Sequence, residues 1–200
     1  MVINFKEKFE EVRSGKIFLR FGLNSNPFSP SPSDIKKSFI NRENETEKFI
    51  RAIYDLNQNR TPHIPILGNH GIGKSHFLKY LFEIVKENKD QLGIKEIYFI
   101  KGENDFKEKF FLEHNEFEGK NCLLFVDDLD IITIHNTHRL NLFFDEFNGK
   151  IIGTWNYKAW ANVNRKVDFK IPKAEPIALH PFSKEHSLDI IRTTLVLSTE

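Results

Sequence analysis

Between Gly68 and Ser75 the chain reads GNHGIGKS, and few octapeptides leave a fold so little freedom. The spacing is G-x-x-x-x-G-K-[ST], with every fixed position satisfied. Gly68, Gly71 and Gly73 let the backbone turn its N–H groups inward around a polyphosphate, because glycine has no Cβ to block a positive φ or a close approach. Lys74 then reaches the terminal phosphates, and the Ser75 hydroxyl completes the shell of a bound Mg²⁺. Asn69, His70 and Ile72 fill the variable positions and His76 follows directly, so residues 68–76 form the candidate cradle for a nucleotide.

Such a loop needs a strand in front and a helix behind. HIPIL supplies the strand, Ile64 to Leu67 led by His63. Pro65 is expected at its entry, since proline removes a ladder donor from a central strand. KSHFLKYLFEIVKEN supplies the helix: Phe77, Leu78, Leu81, Phe82 and Val85 recur at helical spacing. Its N-terminus would add a positive dipole to the phosphate site.

The remaining segments alternate in the same way. Residues 4–14 read as a short amphipathic helix carrying Phe5, Phe9 and Val12, and residues 22–38, rich in proline and serine, as an irregular connector. FINRENETEKFIRAIYDLNQN reads as a helix with a stripe of Phe49, Ile50, Ile53 and Leu56. Ile94 to Ile100 is the second strand. The polar helix after it, KGENDFKEKFFLEHNEFEGK, offers Phe106, Phe110 and Phe111 to a core. CLLFVDDLD, Cys122 to Asp130, is the third strand and its end; HNTHRLNLFFDEFNG is a helix closing at Gly149. Lys150 to Asn156 and Glu175 to Pro181 give two more strands, and Ser183 caps a last helix with Glu185 and His186 in its first turn. Strands alternating with helices make an α/β fold with a parallel sheet.

The third strand carries a second motif. Leu123, Leu124, Phe125 and Val126 deliver Asp127 and Asp128 to the carboxyl end of the sheet, where open α/β folds bind ligands. There Asp127 would hold Mg²⁺ opposite Ser75, and Asp128 would orient or deprotonate a water. An acidic pair alone would as readily end a strand in solvent; the intact phosphate loop upstream favours the site. The fourth strand ends in Thr154 and Asn156, two polar groups within reach of a γ-phosphate or the water attacking it, although asparagine after a strand is also an ordinary turn residue. His135 and His138 read as one face of a polar helix, Trp155 and Trp160 as core, and Cys122 as a small apolar filler.

Composition narrows the class. With 40% hydrophobic and 28% charged residues and a net charge of +1, the chain is an ordinary globular one without a broad basic field. A single cysteine excludes an internal disulfide and suits a reducing compartment. No apolar run approaches a membrane span, and MVINFKEKFEEVRSGK is too charged for a signal peptide, so a cytoplasmic protein without a membrane partner is expected.

Taken in order, FGLNSNPF, FINRENETEKFI, GNHGIGKS, LLFVDDLD, IIGTWN and IALHPFSKEHSLDII resemble an AAA+ ATPase, nearest in pattern to the archaeal and origin-recognition-like branch, over about residues 21–195. The resemblance implies a five-stranded parallel P-loop NTPase sheet of order 5-1-4-3-2 with helices on both faces. Residues 1–38 would precede the nucleotide-binding domain, residues 39–181 would form it, and residues 182–200 would open a helical lid that is mostly missing. It implies ATP and Mg²⁺ as cofactors, ADP as product, and slow hydrolysis that depends on self-association or a partner ATPase. Phe39, Ile40 and Arg42 would lie near the adenine, Asn156 would be the sensor-1 residue, and Arg165 either the arginine finger or a solvated loop arginine. The implied work is on DNA, as in replication initiation or helicase loading, with DNA reached through regions beyond Glu200. A STAND-like nucleotide switch or scaffold with little turnover is the other family reading. Two departures stand out. Asp128 occupies the place of the family's usual glutamate, and the sequence stops inside the segment that would open the lid, as expected of a fragment or of a reduced ATPase that borrows its lid arginine.

Overall fold

Five strands carry the architecture: β1 (His63–Leu67), β2 (Glu96–Lys101), β3 (Cys122–Asp127), β4 (Lys150–Trp155) and β5 (Ile177–Ala178). All pairings are parallel, and the order across the sheet is β2-β3-β4-β1-β5, the expected 5-1-4-3-2 read from the other edge. The computed structural model describes Phe39 and residues 41–58, 63–106, 122–134, 138, 149–165 and 175–197. They belong to two compact units, Arg42–Pro181, which holds the sheet, and a second made of Met1–Asn41 with Phe182–Glu200. The expected N-terminal helix, the connector, Ile40, Phe110, Phe111 and His135 lie outside the described residues.

Strand alternation assigns the two faces. On one face Leu124, Val126, Ile151, Trp155 and Leu67 join Leu129, Ile132, Trp160 and Val163 in a single buried cluster. On the other lie Leu123, Phe125, Ile152, Ile64 and Ile66, by the two-residue period of a strand. Helix α1 (Glu43–Gln58) buries Phe49 and Ile53, and α2 (Lys74–Asn88) buries Phe77, Leu78, Leu81 and Val85. Phe82 of α2 meets Phe99 and Phe125 edge-on, each at 5.4 Å between ring centres, while Phe49 tilts against Phe125 at 6.3 Å. Each such side chain removed from water contributes about 1.5–3 kcal/mol. Helix α3 (Gly102–Phe106) buries Phe106. In the second unit, α5 (Lys184–Leu197) starts as expected, the Ser183 hydroxyl accepting the His186 N–H at 3.1 Å.

Several expectations change. Ile50 points outward at 54% exposure, while Phe49 and Ile53 of the expected α1 stripe are buried; the Leu56 side chain lies outside the described residues. β2 begins at Glu96, two residues late, although Ile94 is still buried. Pro65 sits in the middle of β1, opposite Gly153, not at its entry. The Gly68 N–H donates toward β4 and the Leu67 carbonyl accepts from Leu179 on the β5 side. By alternation the Pro65 nitrogen also faces β5, which pairs only with Ile66 and Leu67. No ladder bond is lost, so a proline in a central strand costs little there. Helical backbone begins at residue 129, well before His135, because the chain reverses at Asp128. The segment after β4, left without an element by the sequence pattern, is helix α4 (Tyr157–Arg165), so Arg165 ends a helix.

At the start of β1, His63 is fully buried. Its Nδ1–H donates to the Ile151 carbonyl at 3.1 Å and its Nε2 accepts the Trp155 indole N–H at 3.0 Å. A carbonyl only accepts and an indole only donates, so these partners fix the tautomer. Trp155 and Trp160 pack edge to face at 5.2 Å, which bears out the core reading of both. Cys122 is buried too, its thiol pushed up to about 12 by burial and by Glu96, as suits an inert filler.

Gly153 is the hole into which this face closes. A Cβ there would collide with the Leu129 side chain and stand 3.1 Å from His63 Cε1. Gly153→Ala should therefore cost about 1–3 kcal/mol of folding stability through overpacking, read as a lower urea midpoint at unchanged slope. A midpoint equal to the parent's would show that Leu129 repacks freely.

Candidate functional site

The phosphate loop adopts the backbone its glycines permit. Gly71 and Gly73 have φ of 77° and 93°, in the left-handed region closed to most side chains. Gly68 is required by crowding instead: a Cβ would stand 2.5 Å from Ile72 Cγ2 and 3.3 Å from Lys74 Cγ. Gly73 occupies the N-cap of α2 with no side-chain cap, and the first-turn N–H groups of a helix have no intrahelical acceptor. Lys74 arches back over the loop, its Nζ donating to the Asn69 carbonyl at 3.0 Å. Asn69, His70 and Ser75 are exposed, Ile72 and His76 half-buried. Burial, and secondarily Lys79, hold the His76 imidazole below its ordinary value.

The acidic turn stands at the same edge of the sheet, since β1, β3 and β4 all run parallel. Alternation along β3 puts Asp127 on the face of Phe125, the α2 side, and Thr154 of β4 on that same face. The Thr154 hydroxyl is fully buried and works in both directions. It donates to Asp127 Oδ1 at 2.8 Å and accepts the Asp128 N–H at 2.8 Å. The Asp128 N–H also reaches Asp127 Oδ1 at 3.2 Å. Asp127, only 5% exposed, is thus fixed through Oδ1, and among the described residues Oδ2 takes no hydrogen bond. Thr154, read as a group that could meet the γ-phosphate, is committed to Asp127 and Asp128.

Asp128 then reverses the chain. Its φ of 53° is left-handed, a conformation that aspartate and asparagine tolerate better than other side chains because their short polar arms bond locally. The reversal is driven from both sides: Thr154 holds the Asp128 N–H, and Leu129 plugs the hole over Gly153. The Asp128 carboxyl is pushed above its ordinary value, first by burial, then by the charges of Asp127 and Asp130. Lys74 and His70 oppose the shift, which brings the phosphate loop and the acidic turn within electrostatic reach of each other. Asn156 is the N-cap of α4, its Oδ1 accepting the Lys158 N–H at 3.0 Å and its carbonyl the Trp160 N–H at 2.9 Å.

Arg42 is buried and pairs with Glu45 at 2.8 Å, while its carbonyl caps α1 through Thr46. Phe39 is half-buried in the second unit. The Arg165 side chain lies outside the described residues. Sequence reasoning missed Asp130, whose Oδ2 accepts the Asn156 N–H at 3.0 Å. The signal was its position one helical turn after Asp127. Among the described residues no cluster of His, Cys, Asp and Glu could hold a metal by protein groups alone, and no helix is long and apolar enough to cross a membrane.

A parallel sheet with a glycine loop feeding a helix at its carboxyl edge, and a buried aspartate at the end of the strand two places over, defines a P-loop NTPase fold. No family model matches the sequence, and no curated protein matches it. Solved structures do match in fold. The Aeropyrum pernix Orc1 protein in complex with DNA superposes with a TM-score of 0.61 at 12% identity, over 82% of this chain and 51% of that one. Domain III of the Thermotoga maritima replication initiation protein DnaA gives 0.53 at 20% identity, over 84% and 76%. The S. cerevisiae Hsp104:casein complex gives 0.52 at 20% identity, over 77% and 29%. These are AAA+ ATPases, and the chain has the AAA+ fold. It spans about half of the Orc1 chain and less than a third of Hsp104.

The left-handed turn makes a prediction of its own. Asp128→Glu should lower stability by about 1 kcal/mol, because the longer side chain gains no local bond in a left-handed backbone. Asp128→Asn should match or exceed the parent, since it keeps the short arm and removes a charge from beside Asp127 and Asp130. Urea unfolding of the pair reads this directly; equal losses in both variants would mean the backbone at 128 is not what selects the residue.

Proposed function

We propose that this chain binds Mg·ATP at the edge between the phosphate loop and the acidic turn, and hydrolyses it slowly in an assembly. One observation carries the reading: the uncapped start of α2 behind GNHGIGKS stands on the same face as Asp127, a carboxylate fixed through one oxygen by Thr154. The donor set fits the group. Positive-φ glycines and the N–H groups of a helix's first turn suit phosphate, while a serine hydroxyl and a carboxylate oxygen are hard ligands suited to Mg²⁺. When bound, the ion would neutralise charge on the β- and γ-oxygens.

The chain's own groups do the rest. Residues 68–76 cradle the phosphates, Lys74 leaves the Asn69 carbonyl for the terminal oxygens, and Ser75 with Asp127 holds the metal. Asp128 orients the attacking water as general base, helped by a carboxyl that is more basic than usual. Its arm is one methylene shorter than a glutamate's and its backbone is fixed, which favours slow turnover. Asn156 faces the γ-phosphate, Phe39, Ile40 and Arg42 lie toward the adenine, and Arg165 of a second copy completes the charge stabilisation. Residues 182–200 open the lid. We further infer a role on DNA: one structural neighbour is a complex with DNA and another is a replication initiation protein. The third, bound to casein, shows that the fold does not dictate the target.

Titration with a fluorescent ATP analogue tests the site. Lys74→Ala should weaken ATP binding at least tenfold, and Asp128→Asn should keep ATP affinity within about threefold while abolishing phosphate release. Unchanged binding in Lys74→Ala would remove the site assignment. A separate titration of the full-length protein against duplex DNA should show affinity falling steeply between about 50 and 200 mM salt, as expected from phosphate contacts. An affinity flat in salt, or none, would end the DNA reading and leave a nucleotide switch.

A further inference from the structure

Beyond Val126 and Gly153 the ladder between β3 and β4 stops. One chain reverses at Asp128 and the other passes into α4, so no sheet bond fixes Asn156 against the acidic turn. A side chain does it instead. Asp130 Oδ2 accepts the Asn156 N–H at 3.0 Å, while its Oδ1 accepts the Ile131 N–H of its own turn, also at 3.0 Å. Oδ1 shares the Ile131 N–H with the Asp128 carbonyl, so Oδ2 is the oxygen committed to Asn156 alone.

The start of α4 explains why this is needed. Asn156 caps the helix through Lys158, and in a capping box the third helical residue would return a side chain to the N-cap N–H. That residue is Ala159, which has nothing to return. Asp130 supplies the missing acceptor from a different element. A bond from a backbone N–H to an ionised carboxylate is among the stronger kinds. The acidic turn and the cap of α4 are thereby fastened as one body.

We propose that Asp130 is a positioning residue, which holds Asn156 in register with Asp127 and Asp128 and so sets how well the site distinguishes ATP from ADP. The sensing half rests on the reading of the site given under Proposed function; the fastening half rests on the geometry alone. Asp130 touches no nucleotide and acts through Asn156. Its neighbour Thr154 fastens β4 one step earlier, through Asp127, so the strand end is pinned at two points.

Three variants separate the roles of Asp130. Asp130→Ser keeps a short hydroxyl for its own turn but cannot reach Asn156; Asp130→Asn keeps an acceptor of full length; Asp130→Ala loses both. Amide exchange followed by NMR should show Asn156 exchanging at least tenfold faster in Asp130→Ser than in the parent, with Ile152 in β4 unchanged and Asp130→Asn close to the parent. Affinities for ADP and a non-hydrolysable ATP analogue should show ADP binding within twofold in every variant. The preference for ATP should fall at least fivefold in Asp130→Ser and Asp130→Ala, and Asp130→Asn should recover most of it. Asn156 exchange equal to the parent's, or faster exchange at Asn156 and Ile152 together, would overturn the fastening. Faster exchange at Asn156 alone with an unchanged ATP preference would overturn the sensing role. A parent chain that binds neither nucleotide overturns the site reading and the sensing role with it, while the exchange result still decides the fastening.

Discussion

A nearly buried carboxylate at the end of a central strand is the constraint around which this edge of the sheet is built. A carboxylate so little exposed is costly to bury without donors, and Thr154 with the Asp128 N–H provides them for Asp127. Because the Thr154 hydroxyl both gives and accepts, it fixes Asp127 and the start of the next residue at once. Losing such a hydroxyl would leave a buried partner short of a bond, a cost of about 1–3 kcal/mol. The pairing also requires β3 and β4 to be neighbours in this register. Strand order, residue choice and site geometry are therefore one decision.

The opposite face of the same two strands completes the turn. Leu129 fits over Gly153, and His63 ties Trp155 to the start of β1 through a neutral ring held between a carbonyl and an indole. With Asp127 held on one face and Leu129 on the other, Asp128 has to take up the reversal, and its backbone is left-handed. The aspartate at 128, where the resemblance implies a glutamate, then sits in a backbone suited to it. A position with this backbone selects a short side chain that can bond nearby, whatever that does to the rate of a reaction.

Much of this was legible in the sequence because it depends on local chemistry. GNHGIGKS fixed the loop, and the apolar run from Leu123 to Val126 marked a strand buried on both faces. The strand order came from the resemblance, not from periodicity. What stayed hidden depends on partners distant in sequence. Pro65 is acceptable mid-strand only because β5 is two residues long. Helix α4 is only nine residues long, and its cap is completed by Asp130, so YKAWANVNR carried no complete start signal of its own, although Asn156, Trp160 and Val163 stood at the right spacing. Ile50 belonged to the right helix and the wrong side of it, since adjacent residues such as Phe49 and Ile50 point about 100° apart around a helix.

The fold itself is neutral about what the machine acts on, as neighbours bound to DNA and to casein make plain. What the geometry adds is a statement about coupling. The acidic turn, the end of β4 and the cap of α4 are joined by short bonds from Thr154 and Asp130, with Trp160 and Val163 anchoring α4 in the core beneath. Packed elements of this kind move as bodies instead of deforming continuously. The bonds that shape the acidic turn therefore also tie it to the start of α4, so a displacement of Asp127 or Asn156 would draw that helix with it.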